Sequence, residues 1–544
     1  MTQTHRSPIA DFRNEPPPDF SRDEVRDGFR EALAAARDSF PVAIPMVIGG
    51  RRVETKETIQ SLDPSDNSRV VAVSASASAA DADRAVEAAR KAFPAWSRTP
   101  AETRAEILLR AAAIMRDRRD LLSAVAVFEA GKPWREAAAD TDEAIDFLEF
   151  YAREMLRLAH PRRLQQYLLG ERNDLSYHAL GVVAVIGPWN FPIAIPVGMA
   201  AAALVAGNTV VLKPAEQTPL CTWMYMQALE EAGLPPGAMN FLPGRGEVCG
   251  DRIVRHREVN MVVFTGSRDV GLLITRAASE VPPGQRFVKR VVTEMGGKNG
   301  LIVDSSADLD SAVPDVIYSA FGFSGQKCSA CSRAIVLKDV YEEFLARLKE
   351  GVAALKIGPA EHPGTQVGPV IDAEAAAKVR SYIELGTSSA KAIHIGDLHG
   401  LEQKGSFVPP AVFDVPNERH RLMQEEIFGP VLAVVPARDF GHALEIANST
   451  DYALTGGVHS RTLTHLRRAR AEYEAGNLYL NRPITGAIVG RQPFGGYRLS
   501  GVGSKAGGPD YLKQFLVARV ASENLMRHGV ASLSEEDVLP HGDD

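Results

Sequence analysis

Cys328 and Cys331 stand in the segment GQKCSACSR with the Cys-x-x-Cys spacing, which serves metal binding, redox exchange or a single nucleophile. A structural zinc site needs about four Cys or His ligands, and no second such pair accompanies this one. A redox dithiol opens a helix, whereas this pair precedes the strand-like RAIVL. We therefore expect no metal and one nucleophilic thiol, presented by a bend that Gly322 and Gly325 make possible.

Three further segments hold side chains suited to reaction chemistry. Asn190 in GPWNFP follows a strand-like run, and its amide can donate to a developing oxyanion. Glu294 in VVTEMGGKN ends another run, where a carboxylate can act as a general base. Glu426 and Phe428 in QEEIFGPVLAV suit a ribose and ring. Each residue alone fits an ordinary loop, a helix cap or a solvated strand end equally well.

Two segments favour a nucleotide. In FTGSRDVG (264–271) glycines and a serine lie between a strand and a helix, where backbone N–H groups and the helix dipole attract phosphate, although the GxGxxG spacing is absent. In VVLKPAEQTP, Lys213 and Glu216 follow a strand and can contact ribose or phosphate. An acid there repels a 2′-phosphate, which favours NAD over NADP. The alternatives are a tight turn and a solvated loop.

Composition limits the remaining classes. Hydrophobic residues make up 45% and charged residues 24% of the 544 residues, which is ordinary for a globular protein with large cores. A formal charge of -7 gives no general attraction to nucleic acid or anionic membranes. Four cysteines make no disulfide scaffold and indicate a reducing, cytoplasmic compartment. The apolar stretch 191–212 contains prolines and glycines, so we predict a buried helix followed by a strand.

Strand-like and helix-like segments alternate, which predicts parallel sheets covered by helices, with ligands beyond the carboxyl ends of strands. After a charged leader, a first amphipathic helix is expected at about 22–39. The alternation of strands and helices begins again after residue 300, which suggests two lobes with a cleft between them. Residues 162–180 suggest a β-hairpin. The expected strands are HALGVVAVIGP, TVVLKPA, MNFLPG, MVVFTGS, RVVTEMGG, LIVDSS, RAIVLKD, LAVVPA, GGVHS and GNLYLN.

Seven motifs in order, spread from residue 187 to 501, together resemble the aldehyde dehydrogenase superfamily: GPWNFP, LKPAEQTP, FTGS-x-x-VG, TEMGGKN, GQKCSA, EEIFGPV and PFGGYRLSG. The resemblance implies two doubly wound parallel-sheet domains with a small β oligomerisation flap. It implies Cys328 as nucleophile, Glu294 as general base and Asn190 as oxyanion donor. Cys331 then becomes a packed residue at the start of a strand.

The resemblance also assigns binding residues. For NAD, it implies Lys213 and Glu216 at the adenosine ribose, Gly266 and Ser267 at the pyrophosphate, and Glu426 with Phe428 at the nicotinamide ribose. For the substrate, it implies a carboxylate nest formed by Ser329, Gly486 and Ala487, with Phe191 and Phe494 as apolar walls. Backbone N–H groups exposed by glycine suit a carboxylate.

Segments 128–155 and 481–516, with the cysteine bend, resemble the branch that oxidises L-glutamate γ-semialdehyde, the second oxidation of proline catabolism. Met295, Ser324 and Val502 depart from that branch but remove no reacting group. Two alternatives stay open: another semialdehyde, such as succinate semialdehyde, or a simple aliphatic aldehyde, and a structural or redox-sensing relative without activity.

The resemblance implies a domain division and an assembly. We expect a NAD-binding domain of residues 1–160 and 181–295, a catalytic domain of residues 296–505, and an oligomerisation hairpin and tail of residues 161–180 and 506–544. A homodimer or a higher homo-oligomer follows from that flap, and functional coupling to a proline dehydrogenase is expected. No nucleic acid or membrane partner is expected.

Overall fold

The computed structural model describes residues 9–168 and 170–526. The α-helices in these ranges are α1 (Asp23–Asp38), α2 (Ala79–Trp96), α3 (Ala101–Asp117), α4 (Arg119–Ala130), α5 (Trp134–Leu158), α6 (Ala194–Val205), α7 (Pro219–Glu231), α8 (Asp251–Arg255), α9 (Arg268–Ser279), α10 (Leu309–Phe321), α11 (Tyr341–Ala353), α12 (Ala373–Ser389), α13 (Arg421–Gln424), α14 (Phe440–Ala447) and α15 (Leu463–Glu472). The strands are β1 (Val42–Ile44), β2 (Met46–Ile48), β3 (Arg51–Val53), β4 (Thr58–Asp63), β5 (Asp66–Ala75), β6 (Arg162–Arg163), β7 (Glu171–Ala179), β8 (Val182–Ile186), β9 (Thr209–Lys213), β10 (Met239–Phe241), β11 (Val259–Thr265), β12 (Arg290–Glu294), β13 (Asn299–Val303), β14 (Cys331–Leu337), β15 (Lys391–Ile395), β16 (Ala411–Asp414), β17 (Val431–Ala437), β18 (Tyr452–Ala453), β19 (Thr455–His459), β20 (Asn477–Leu480), β21 (Tyr497–Arg498), β22 (Gly501–Val502) and β23 (Leu516–Asn524).

The first lobe is built on an eight-stranded sheet of order β22-β12-β11-β8-β9-β10-β2-β3. Its five central strands are parallel, and the edge strands β2, β3 and β22 are antiparallel. The chain runs from β8 outward through β9 and β10, then returns to the other side of β8 with β11. This reversal creates a crevice at the carboxyl ends of β8 and β11, where such sheets bind ligands.

The second lobe is built on a seven-stranded sheet of order β15-β16-β17-β14-β13-β19-β20, parallel except at β15. A short turn, residues 295–298, leads from β12 of the first sheet directly into β13 of the second. The expected strands and the two-lobe α/β architecture are confirmed. The first amphipathic helix, expected at about 22–39, is α1.

The apolar stretch 191–212 forms α6 and β9, as predicted. The alanines of α6 are completely buried between the first sheet and α5, which explains why this helix is apolar all round. No helix of the described residues is long and apolar enough to cross a membrane.

A three-stranded antiparallel sheet of order β23-β7-β6 lies apart from the two large sheets. The pairing of β6 with β7 confirms the hairpin expected at 162–180, and β23 adds a third strand from the far end of the chain. Val517 and Val520 of β23 are exposed apolar residues. The expected tail continues past these strands, and its residues 527–544 lie outside the described residues.

Candidate active site

A cavity of about 700 Å³ lies at the carboxyl ends of the central strands of the first sheet. Ile186 ends β8 and Thr265 ends β11, and both lie in its wall. Met295 and Gly296, from the turn between the sheets, also line it, while Glu294 lies just outside the wall. The other predicted residues in the wall are Asn190, Lys213, Glu216, Gly266, Ser267, Cys328, Glu426 and Phe428.

Cys328 lies in a tight loop between α10 and β14. Phe323 and Ser324 have φ of 52° and 55°, and Gly325 has φ of 69°, so three successive residues are left-handed. A Cβ at Gly325 would lie 2.4 Å from a backbone oxygen of a neighbouring loop. Gly322, expected to share in the bend, has φ of -56°, which any residue adopts. That expectation is wrong, because Phe323 and Ser324 turn the chain instead.

Each left-handed non-glycine residue costs roughly 1–3 kcal/mol, and side-chain hydrogen bonds stabilise the loop against this cost. Ser324 Oγ donates to the Gly368 carbonyl at 2.8 Å. The Gln326 amide donates to the Pro369 carbonyl at 3.2 Å, and its Oε1 accepts from the Ile371 N–H at 2.8 Å. The segment 368–371 therefore supports the loop that carries Cys328.

The GGKN motif fixes the loop from the other side. Asn299 Nδ2 donates to the carbonyls of Cys328 at 2.7 Å and Ala330 at 2.9 Å. A Cβ at Gly297 would lie 2.7 Å from the Cys328 carbonyl oxygen, so only glycine allows this approach. The residues after Glu294 thus position Cys328, a role of Asn299 that the sequence reasoning missed.

The thiol of Cys328 is held in its neutral form. Burial raises the pKa of Cys328 to about 12, the charges of Glu294 and Glu426 act in the same direction, and the Ser329 N–H opposes them. The ordinary pKa of a cysteine thiol is ~8.5. Cys331 is the fully buried first residue of β14, as expected, and burial raises its pKa to about 12 as well.

Asn190 is buried, and its side-chain amide Nδ2 donates to the Gln326 carbonyl at 3.1 Å, beside the nucleophile loop. An amide has two N–H bonds, so one remains available to a ligand. Lys132 Nζ donates to the Asn190 carbonyl at 2.8 Å and forms an ion pair with Asp140 at 3.2 Å, both side chains being 0% exposed. Lys132 was not singled out from the sequence.

Glu294 ends β12 and contacts the glycines of the PFGG motif. The Gly496 N–H donates to its Oε2 at 3.4 Å, and Gly495 packs against its Oε1. Burial of the carboxyl raises the pKa of Glu294 to about 8, while the Gly496 N–H and the charge of Lys505 act in the opposite direction. A carboxyl with this pKa exchanges protons readily near neutral pH, as general base catalysis requires.

The wall of the cavity suits a dinucleotide. At one end Glu216 Oε1 accepts from Lys213 Nζ at 3.2 Å and from the Gly246 N–H at 2.8 Å, which leaves its other oxygen for ribose hydroxyls. Ser267 caps α9, whose N-terminus favours a phosphate.

At the other end Glu426 Oε1 accepts from the Gly297 N–H at 2.8 Å. Phe428 has its ring 5.4 Å from that of Trp189, which forms part of the wall near Asn190. The wall thus offers two carboxylates for the hydroxyls of two riboses and a helix N-terminus for a pyrophosphate.

The predicted substrate residues lie outside the cavity wall. Ser329 follows Cys328 and is buried. Gly486 is exposed with φ of 76°, and a Cβ there would meet nothing within 4 Å. The segment that carries Gly486 and Ala487 is fixed to α10 by the bond from the Ile484 N–H to Ser319 Oγ at 3.1 Å. Of the remaining two, Phe191 directly follows Asn190 in the sequence, and Phe494 directly precedes Gly495.

Glu143 on α5 is a further residue that sequence reasoning missed. Burial raises the pKa of Glu143 to about 8. The charge of Asp140 acts in the same direction, and the positive charge of Lys132 acts in the opposite direction. The charge of Glu143 also acts on Cys328. Glu136, Asp140 and Glu143 recur at helical spacing, and α5 packs this face inward. Within the described ranges no group of three or more His, Cys, Asp or Glu could hold a metal ion.

The family model described as "Aldehyde dehydrogenase family" matches residues 52–520. The chain is similar to a 1-pyrroline-5-carboxylate dehydrogenase from Geobacillus kaustophilus (strain HTA426), with 50% identity over 515 residues, 95% of this chain and 99% of that protein.

Two solved structures are also similar. The 1-pyrroline-5-carboxylate dehydrogenase from Thermus with bound NAD has a TM-score of 0.93 and 47% identity, covering 95% of this chain and 100% of that chain. Proline utilization A from Bdellovibrio bacteriovorus has a TM-score of 0.94 and 47% identity over 96% of this chain. The match spans 54% of that longer protein.

Proposed function

The chain belongs to the aldehyde dehydrogenase family, and on that premise we propose that it oxidises L-glutamate 5-semialdehyde, formed from 1-pyrroline-5-carboxylate, to L-glutamate with NAD, the second step of proline catabolism. The observation that carries the proposal is a cavity of about 700 Å³ whose wall holds Cys328 and Asn190, with Glu294 close enough for its charge to act on the Cys328 thiol. The relatives named 1-pyrroline-5-carboxylate dehydrogenase support the substrate, because the similarity spans nearly the whole of both chains.

Cys328 starts the reaction by attacking the aldehyde carbon. Its thiol is neutral beforehand, so the proton leaves to solvent as the carbon–sulfur bond forms. The free N–H of the Asn190 amide and the backbone N–H of Cys328 hold the oxyanion of the thiohemiacetal, and one such donor is worth about 3–4 kcal/mol in comparable sites. Bound NAD supplies the hydride acceptor, and hydride loss leaves a thioester on Cys328.

Glu294 completes the reaction. As a carboxylate it takes a proton from the water that attacks the thioester, and Asn190 holds the oxyanion a second time. The thiol leaves, and L-glutamate is released. Lys213, Glu216, Gly266 and Ser267 bind the adenosine and pyrophosphate parts of NAD, and Glu426 and Phe428 bind the nicotinamide riboside.

The substrate is anchored by its α-carboxylate. Ser329 and the backbone N–H groups of Gly486 and Ala487 form the carboxylate nest, and Phe191 and Phe494 wall the aliphatic chain. Gly486 leaves its N–H accessible because it carries no side chain and is exposed.

We also propose a division of the chain into two domains and an oligomerisation flap. Residues 1–160 and 181–295 form the NAD-binding domain, and residues 296–505 the catalytic domain. Residues 161–180 and 506–544 mediate homo-oligomerisation, which the exposed valines of β23 support. All four cysteines are unpaired, in keeping with a cytoplasmic location. The longer proline utilization A supports functional coupling to a proline dehydrogenase.

A substrate comparison tests the function. We expect NADH formation with 1-pyrroline-5-carboxylate to exceed that with succinate semialdehyde or propanal by at least about tenfold in kcat/KM. Propanal has no carboxylate, and the chain of succinate semialdehyde is one carbon too short for its carboxylate to occupy the nest while its aldehyde meets Cys328. A tenfold difference corresponds to ~1.4 kcal/mol of transition-state binding. NADH absorbance at matched enzyme concentration measures all three rates. A preference for either of the other two would overturn the proposed substrate: succinate semialdehyde would favour activity on another semialdehyde, and propanal would favour activity on a simple aliphatic aldehyde.

Lys132→Met should destabilise the fold and slow turnover. It leaves Asp140 as an unpaired buried charge, which costs about 3–5 kcal/mol, and frees the backbone of Asn190. Urea unfolding and steady-state kinetics on one preparation measure both effects. Lys91→Met is the matched control, because Lys91 forms an exposed pair with Glu87 worth less than about 1 kcal/mol. An unfolding midpoint of Lys132→Met equal to that of wild type would rule out this role.

A further inference from the structure

The N-terminal leader, residues 9–20, lies outside the range matched by the family model, yet it packs against helix α5 and the loop that contains Val489. The Phe12 ring lies edge-on to Phe150 of α5, with centroids 5.2 Å apart. The same ring lies close to Gly490, where a Cβ would come within 3.1 Å of it. The leader therefore contacts both α5 and the chain just after the carboxylate nest.

Asn14 joins these two elements through one amide group. Its Nδ2 donates to Asp146 Oδ2 at 2.8 Å and to the Val489 carbonyl at 2.9 Å. The Glu15 N–H donates to the other oxygen of Asp146 at 2.8 Å. Both N–H bonds of the Asn14 amide are thus used, one on α5 and one on the loop of residues 485–490.

Two arginines of neighbouring helices hold the leader in place. Arg116 of α3 pairs with Glu15 and with Glu149 of α5. Arg119 of α4 donates to the Pro16 carbonyl at 2.7 Å. The position of Asn14 is therefore set by the helices, and the loop is the part that it restrains.

We propose that Asn14 is a positioning residue for the substrate carboxylate. It ties the loop of residues 485–490 to α5, so that the N–H groups of Gly486 and Ala487 point into the nest. The loop has no regular secondary structure, so its backbone depends on such tethers. This inference rests on the proposed function, since only a substrate with a carboxylate uses the nest.

The test compares Asn14→Ala with Arg13→Ala, whose exposed side chain lies one residue away. For Asn14→Ala we expect KM for 1-pyrroline-5-carboxylate to rise about tenfold, the effect of losing one to two net hydrogen bonds, with kcat within about twofold. Kinetics with propanal, which has no carboxylate, should be unchanged. Asn14→Asp, which faces Asp146 with a second carboxylate, should raise KM further. Arg13→Ala should behave as wild type.

Each outcome decides between explanations. If Asn14→Ala keeps the wild-type KM, or if propanal turnover falls equally, the positioning role is wrong and the leader is only structural. If the wild-type protein itself does not prefer 1-pyrroline-5-carboxylate over propanal, the proposed function has failed first. Thermal unfolding of each variant separates a local loosening of the loop from general destabilisation.

Discussion

Cys328→Ala should abolish NADH formation, by at least about 10⁴-fold in kcat, because no other side chain can form the thioester. Cys331→Ala should keep most of the activity. Cys331 is buried at the start of β14, and its Sγ makes only a weak contact with the Arg333 carbonyl at 3.5 Å. Its loss should cost about 1 kcal/mol of stability. Steady-state NADH absorbance compares the two variants.

The pair of variants separates one nucleophile from a working dithiol. Equal inactivity of well-folded Cys331→Ala would contradict the single-nucleophile mechanism. Mass spectrometry after mixing with substrate and NAD adds a direct readout, since the acyl adduct should form on wild type and be absent from Cys328→Ala.

Glu294→Gln should release NADH in a burst of about one equivalent per active site, followed by slow turnover. Hydrolysis of the thioester loses its base and should slow by about 10²–10⁴-fold. Formation of the thioester should persist, because the charge of Glu294 raises the pKa of Cys328 and its removal makes the thiol easier to ionise. Stopped-flow absorbance resolves the two phases, and a slow first phase without a burst would argue against this role.

The same carboxyl sets the pH dependence. Glu294 acts as a base only when ionised, and burial raises its pKa to about 8. The kcat of wild type should therefore rise with pH up to about 8 and level off above it, when hydrolysis limits turnover. In Glu294→Gln this rise should disappear from the slow phase.

Much of this architecture could be predicted because its signals are local. β-branched runs predict the strands of the two sheets, and alanine-rich runs predict helices that cover them. The motifs at strand ends predict the residues of the cavity wall. The bend before Cys328 could not be fully predicted, since sequence does not reveal that Phe323 and Ser324 are left-handed or that Ser324 and Gln326 bond to the distant segment 368–371.

Glu143 was missed for a related reason. Charged residues at helical spacing predict a solvated face, and only the packing of α5 against α3, α4 and α6 shows that this face turns inward. The role of Asn14 could not be predicted from the sequence either, because its two hydrogen-bond partners, Asp146 and Val489, lie far along the chain.

The pairing of β22 with β12 has a consequence for biosynthesis. The edge of the first sheet that carries Glu294 is closed by Gly501 and Val502, near the end of the chain. During translation this edge strand stays uncovered until residues 501 and 502 have been made and can pair with it. A chain terminated before residue 501 would therefore expose an unpaired edge strand to other nascent chains. Premature termination should cause aggregation as well as loss of catalysis.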